Sequence, residues 1–147
     1  VSQDIRDDKS DLSADALAVA RRNVADYGLE ARLRLIESDL FQRLDGRRYD
    51  LILSNPPYVT AAAMAALPAE YRHEPVMALA AGDDGLDIVR RILAAASRHL
   101  TDHGLLAVEV GHNRELVEAA FPELPLTWID SAGGEEKIFL LRREDLP

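Results

Sequence analysis

Apolar positions along the chain alternate between a helical and a strand period. From Ser13 to Tyr27, Leu17, Ala20, Val24 and Tyr27 recur three or four apart, which predicts a helix. Ser13 is a suitable N-cap and Gly28 a left-handed stop. Leu33 to Ser38 reads as a strand, Leu40 to Leu44 as one helical turn, and Asp45-Gly46 as a turn signal. Tyr49 to Ser54 carries an apolar run typical of a parallel strand buried on both faces. After it the pattern breaks into a long irregular stretch, Val59 to Gly85, with a short helix expected at Ala61 to Leu67. A helix is predicted over Asp87 to Leu100, with Ile88, Ile92, Leu93, Ala96 and Leu100 on one face and Gly104 beyond its end. A strand at Leu105 to Val110, a helix at Arg114 to Phe121 and strands at Leu126 to Asp130 and Lys137 to Leu141 complete the series. The last two strands flank Gly133-Gly134 and should form an antiparallel hairpin. This alternation predicts an α/β fold: a mostly parallel sheet with helices on both faces and an antiparallel final strand.

Composition narrows the chemistry. The 147 residues contain no cysteine, so disulfides and cysteine-based zinc sites are excluded. The apolar fraction is 48% but is interrupted by charges throughout. No run approaches the roughly 18 apolar residues of a membrane span, and residues 1–10 lack the pattern of a signal peptide, so a cytoplasmic location is expected. With 17 basic and 26 acidic side chains the net charge is −9, which argues against a general nucleic-acid binder. His73, His99, His103 and His112 match no zinc spacing and read as exposed or capping residues; no metal site is expected. Gly82-Asp83-Asp84-Gly85 lacks the length and distal Glu of a calcium loop and reads as a turn feeding the helix at Asp87.

The segment that carries chemistry is Asn55-Pro56-Pro57-Tyr58, directly after the strand at Tyr49 to Ser54. In an open α/β sheet, ligands bind beyond the carboxyl ends of the strands. Two consecutive prolines fix φ near −65° and remove two donors, leaving a stiff segment whose carbonyls act as acceptors. Such acceptors suit a planar NH2 group. The Asn55 side-chain oxygen and the Pro56 carbonyl can each take one of its hydrogens, and Tyr58 can stack on the flat face. An ordinary Asn-Pro turn is the bland alternative, weakened by the full tetrapeptide after an apolar strand.

That tetrapeptide resembles the signature of S-adenosylmethionine-dependent methyltransferases that modify planar nitrogens. The blocks around it, Glu37 to Phe41, Tyr49 to Val59, Leu67 to Pro75 and Leu79 to Asp87, resemble the bacterial HemK/PrmC/PrmB group of protein-glutamine methyltransferases. Tyr71-Arg72-His73-Glu74-Pro75 is most similar to the PrmB branch, which acts on a ribosomal protein of the large subunit. The resemblance implies a class I, Rossmann-like sheet, S-adenosylmethionine as cofactor and a glutamine side-chain amide as substrate. It implies cofactor-binding roles for Asp11 on the ribose hydroxyls, for Asp39 on the adenine amine, for Leu40 and Phe41 beside the ring, and for Asn55. Asn55, Pro56 and Tyr58 are implied as catalytic, with Pro57 completing the substrate clamp. Read without the resemblance, Asp11 is a helix-entry acid and Ser38-Asp39 a capping signal. Glu109 resembles a family position at the end of a strand.

The family's first strand and glycine-rich loop have no counterpart here, since no Gly-x-Gly run exists and the first glycine is Gly28. Residues 1–10 are therefore expected to be a leader outside the family fold or a remnant of a missing segment, and 11–147 a partial methyltransferase domain that binds the cofactor weakly by itself. Three alternatives share the motif or the fold: a release-factor glutamine methyltransferase, an adenine-amine methyltransferase on DNA or RNA, and a non-catalytic fragment. Direct sequence-specific nucleic-acid binding is not expected, because no basic stripe emerges from Arg21, Arg22, Arg90, Arg91, Arg142 and Arg143.

Overall fold

The computed structural model describes residues 7–57, 84–130 and 136–147. They fall into two units, divided between Arg47 and Arg48. Tyr58, the expected helix at Ala61 to Leu67, the Tyr71 to Pro75 run, Gly82, Asp83 and Gly133-Gly134 lie outside the described residues.

The first unit is a strand–helix–strand crossover. β1 (Asp7–Asp11) pairs in parallel with β2 (Leu33–Glu37), from Asp7 opposite Leu33 to Asp11 opposite Glu37. Between them runs α1 (Ala14–Asp26), which buries Leu17 and Val24. Ser13 is its N-cap as predicted, with Oγ accepting from the Ala16 N–H at 3.2 Å. Its end is a Schellman turn: Leu29 N–H donates to the Val24 carbonyl, Gly28 N–H to the Ala25 carbonyl, and Gly28 takes φ +63°. Tyr27, expected on the buried face, is 78% exposed because the helix ends just before it.

Residues Asp7–Ser10, expected to be a leader or a remnant of a missing segment, form most of β1. The strand has no apolar side chain, so hydrophobic patterning missed it. Its ladder is supported by polar contacts: Asp7 N–H donates to the Arg32 carbonyl at 2.8 Å, and Arg47 Nη1 donates to Asp8 Oδ2 at 2.6 Å. Charged side chains are a common property of strands that do not occupy a sheet interior.

The second unit is a four-stranded sheet in the order β3 (Tyr49–Ser54), β4 (Leu100–Glu109), β6 (Glu136–Arg142), β5 (Thr127–Asp130). β3 and β4 are parallel; β6 runs antiparallel to both its neighbours, the antiparallel insertion that the hairpin pattern predicts. Leu106 pairs with Leu141 and Val108 with Phe139, so these four share one face, and none is more than 2% exposed. α2 (Asp87–Ala96) packs against β4 through a face containing Val89, Ile92, Leu93 and Ala96, all buried. α3 (Arg114–Ala120) buries Val117 and sets Arg114 4.9 Å from the centroid of the Trp128 ring, which meets Phe139 edge-on.

Three expectations are corrected here. The helix predicted to reach Leu100 stops at Ala96, passes through a 3₁₀ turn (Ser97–His99), and Leu100 opens β4. An apolar residue at helical spacing also fits a buried strand start, which is why the period misplaced the boundary. Gly104 is therefore inside β4, at a register shift: Tyr49 faces Leu100 but Leu51 faces Leu105. A Cβ there would sit 2.9 Å from the Tyr49 carbonyl oxygen, so glycine permits the close approach. β3 is not buried on both faces, since Leu51 is 50% and Leu53 72% exposed. Among the described residues, no helix covers the face they share with Leu105.

Candidate functional site

The acidic residues Asp11 and Asp39 lie at the carboxyl ends of the two strands of the first unit, and a hydrogen bond from Ser38 to the Asp11 carbonyl joins those ends. Asp11 ends β1 half-buried, and its Oδ1 accepts from the Ser13 N–H at 2.8 Å, which aims the carboxylate over the entry to α1. The Asp11 carbonyl accepts from the Ser38 N–H at 2.9 Å, tying the end of β1 to the turn that follows β2. In that turn Asp39, Leu40 and Phe41 are each half-buried. Asp39 Oδ2 accepts from Gln42 Nε2 at 3.1 Å.

Leu40 has φ +50°, a left-handed conformation rare for a side chain branched beyond Cβ. Such a residue costs about 1–3 kcal/mol. Ser38 offsets it: the buried hydroxyl donates to the Leu40 carbonyl at 2.9 Å and accepts from the Arg43 N–H at 3.1 Å. At about 1 kcal/mol per net hydrogen bond, the two bonds are of the same size as the strain. Ser38 thus takes the capping role that the Ser38-Asp39 pair suggested. Its burial and the strained Leu40 had no readable signal beyond that pair.

Asn55, Pro56 and Pro57 follow β3 in the second unit. Asn55 and Pro57 are exposed, and Pro56 is buried. The buried proline anchors a stiff backbone while the Asn55 side chain stays available to a partner. Beside β3, Ser54 pairs with Val108, so β4 runs to Glu109 at the same end. There the Val110 N–H donates to the Lys137 carbonyl at 2.8 Å, and the buried Gly111 takes φ +56°. Glu109 is half-buried.

Asp84, in the predicted acidic turn, serves α2. Its Oδ1 accepts from the Leu86 N–H and from Arg90 Nη1, both at 3.0 Å. The Arg90 guanidinium, followed by the Leu86 amide, lowers its pKa to about 2. Of the histidines expected to be exposed or capping, His103 and His112 are exposed, whereas His99 is buried at the end of the 3₁₀ turn.

An open cavity of about 480 Å³ in the first unit is lined by Asp8, Arg21 and Arg34 among others. It lies towards the amino end of β2, away from the end that carries Asp39. Since α/β sheets bind ligands beyond the carboxyl ends of their strands, strand polarity favours the Asp11–Phe41 end as the candidate site.

A family model described as the methyltransferase small domain matches residues 2–70. The ribosomal protein uL3 glutamine methyltransferase of Neisseria gonorrhoeae is 55% identical over 143 residues, 97% of this chain and 48% of that protein. The enzyme of the same name from Bordetella pertussis is 55% identical over 139 residues, 95% of this chain and 47% of that protein. Over nearly its whole length the chain is similar to these ribosomal protein uL3 glutamine methyltransferases. It spans about half the length of the curated relatives it matches. A methyltransferase structure from Pyrococcus furiosus superposes with a TM-score of 0.67 at 16% identity, over 94% of this chain and 62% of that one. The fold is the Rossmann-like sheet of class I methyltransferases. On that fold, the two acidic strand ends and the Asn55-Pro56-Pro57 segment are the candidate functional elements of this chain.

Proposed function

We propose that the protein carrying this chain transfers a methyl group from S-adenosylmethionine to the side-chain amide nitrogen of a glutamine in ribosomal protein uL3. The observation that carries this reading is the rigid acceptor segment Asn55-Pro56-Pro57 at the carboxyl end of a parallel strand, in a chain 55% identical over nearly its whole length to an enzyme of that name. A cytoplasmic site of action follows from a ribosomal-protein substrate. Residues 11–147 are read as part of a longer catalytic domain.

The donor set of the first unit fits the nucleoside end of the cofactor. On this reading Asp11 accepts from two vicinal ribose hydroxyls, a task suited to a carboxylate, and Asp39 accepts from an exocyclic amine. Leu40 and Phe41 flank the ring. When bound, S-adenosylmethionine supplies an electrophilic sulfonium methyl.

An amide nitrogen is a poor nucleophile because its lone pair is delocalised into the carbonyl. Orientation is therefore the main work of the protein, and near-attack positioning is worth up to about 7–11 kcal/mol. The Asn55 oxygen and the Pro56 carbonyl each accept one amide hydrogen and hold the nitrogen, while Tyr58 stacks on the amide plane. Those hydrogen bonds strengthen as the nitrogen gains positive charge, so they favour the transition state over the ground state. As the N–CH3 bond forms and the S–CH3 bond breaks, the sulfur leaves as a neutral thioether and the nitrogen then loses one proton to solvent, so the protein need not supply a strong base.

Methyl transfer from labelled cofactor by the full-length protein tests the reading, with uL3, a release factor and adenine-containing duplex DNA offered in parallel. Labelling of uL3 alone is expected. Preferential labelling of the release factor or of DNA would replace the substrate assignment, and labelling of none would overturn the enzymatic one.

A further inference from the structure

The half-buried turn after β2 is shaped by a residue that touches no proposed ligand. Ser38 is 4% exposed, and two of its atoms make three hydrogen bonds: its N–H donates to the Asp11 carbonyl at 2.9 Å, and its hydroxyl donates to the Leu40 carbonyl at 2.9 Å and accepts from the Arg43 N–H at 3.1 Å. One small side chain thereby links the end of β1, which bears Asp11, to the bend that presents Asp39, Leu40 and Phe41. We propose that Ser38 is a positioning residue: by holding Leu40 left-handed, it fixes Asp39 where the exocyclic amine of adenine is read. The proposal rests on the cofactor assignment above.

The chemistry of the hydroxyl matters more than its volume. Only a group that donates and accepts at once satisfies both the Leu40 carbonyl and the Arg43 amide. Alanine leaves both without this partner and removes the interaction that offsets the unfavourable φ of Leu40. The expected consequence is a relaxed turn in an otherwise intact fold, since Leu17, Val24 and Leu44 still form the core of this unit. Asp39 then no longer meets the amine at a fixed place. Affinity falls for ligands that carry the amine and much less for those that lack it.

The test uses the full-length protein with S-adenosylhomocysteine and with its analogue bearing a 6-oxo group in place of the amine. Binding of both is measured by calorimetry for the wild type, Ser38→Ala and Ser38→Thr. The wild type is expected to prefer the amine-bearing ligand. In Ser38→Ala that ligand should weaken about tenfold and the preference should largely vanish, with the melting temperature nearly unchanged. Ser38→Thr, which keeps the hydroxyl, should restore the preference; if its extra methyl prevents folding, Ser38→Cys replaces it and should recover part of it. Equal weakening of both ligands in Ser38→Ala would mean a merely structural role and would overturn the proposal, as would retention of the wild-type preference. Failure of the wild type to bind either ligand would instead overturn the cofactor assignment, and the proposal with it.

Discussion

β1–β2 and β3–β4 are both parallel pairs that present candidate residues beyond their carboxyl ends, yet they are held by different forces. β1 is Asp-Asp-Lys-Ser-Asp, and its pairing and the turn after β2 depend on hydrogen bonds around Asp8, Asp11 and Ser38. β4 pairs with β6, which brings Phe139 beside Val108 and Leu141 beside Leu106, all at most 2% exposed. Polar contacts position the acids of the first region one bond at a time, so a single hydroxyl can adjust them. The proposed clamp of the second region instead inherits its rigidity from two prolines and a packed sheet, so only a change to Asn55-Pro56-Pro57 or to the core is expected to alter it.

The difference can be broken most sharply at Asn55. Asn55→Ala should reduce methyl transfer at least about 100-fold, the scale seen when one preorganised transition-state partner is removed. Thermal unfolding should be unchanged because the side chain is exposed. Near-normal turnover would sink the amide clamp. Next in size, Phe139→Ala should cost about 3–5 kcal/mol of stability in urea unfolding, since a fully buried aromatic leaves a cavity. A loss below about 1 kcal/mol would show that packing does not dominate this sheet. In the first region, Ser13→Ala should cost about 1 kcal/mol, the value of an N-cap, with helix content followed by circular dichroism.

The smallest effect concerns Asp84 and Arg90. Folding lowers the Asp84 pKa from 3.8 to about 2, so the unfolded chain takes up this proton more readily. The contribution of the pair to stability is thus complete above pH 3.8 and is lost as pH falls towards 2. Arg90→Ala should return the Asp84 titration, followed by carboxyl-carbon NMR, to near its ordinary value. No change would show that the guanidinium does not cause the shift.

Much of this was written in local pattern. The limits of α1, the strand Tyr49 to Ser54, the antiparallel final hairpin and the position of Asn55-Pro56-Pro57 all follow from periodicity and turn chemistry. β1 was missed because five polar residues carry no strand period, and its partners Arg32 and Arg47 are distant in sequence. Leu100 was misassigned because burial looks alike at a helix end and a strand start. For the acids, Asp11 and Asp39 were recognised by family resemblance and not by any local rule. Their connection through Ser38 was invisible until β1 and β2 were paired.

The sequence by itself therefore determined the α/β class, the capped helix and the stiff acceptor segment, because periodicity, capping and the closed ring of proline act within a few residues. Only the tertiary structure decided that a charged strand pairs beside Leu33–Glu37, that Leu40 adopts φ +50° and that a buried serine supports it. The strand pairing depends on partners that chain crossover brings together, which leave no period in the sequence. The Ser38 bonds to Leu40 and Arg43 are local, but it is the Ser38 N–H on the Asp11 carbonyl that ties them to the end of β1.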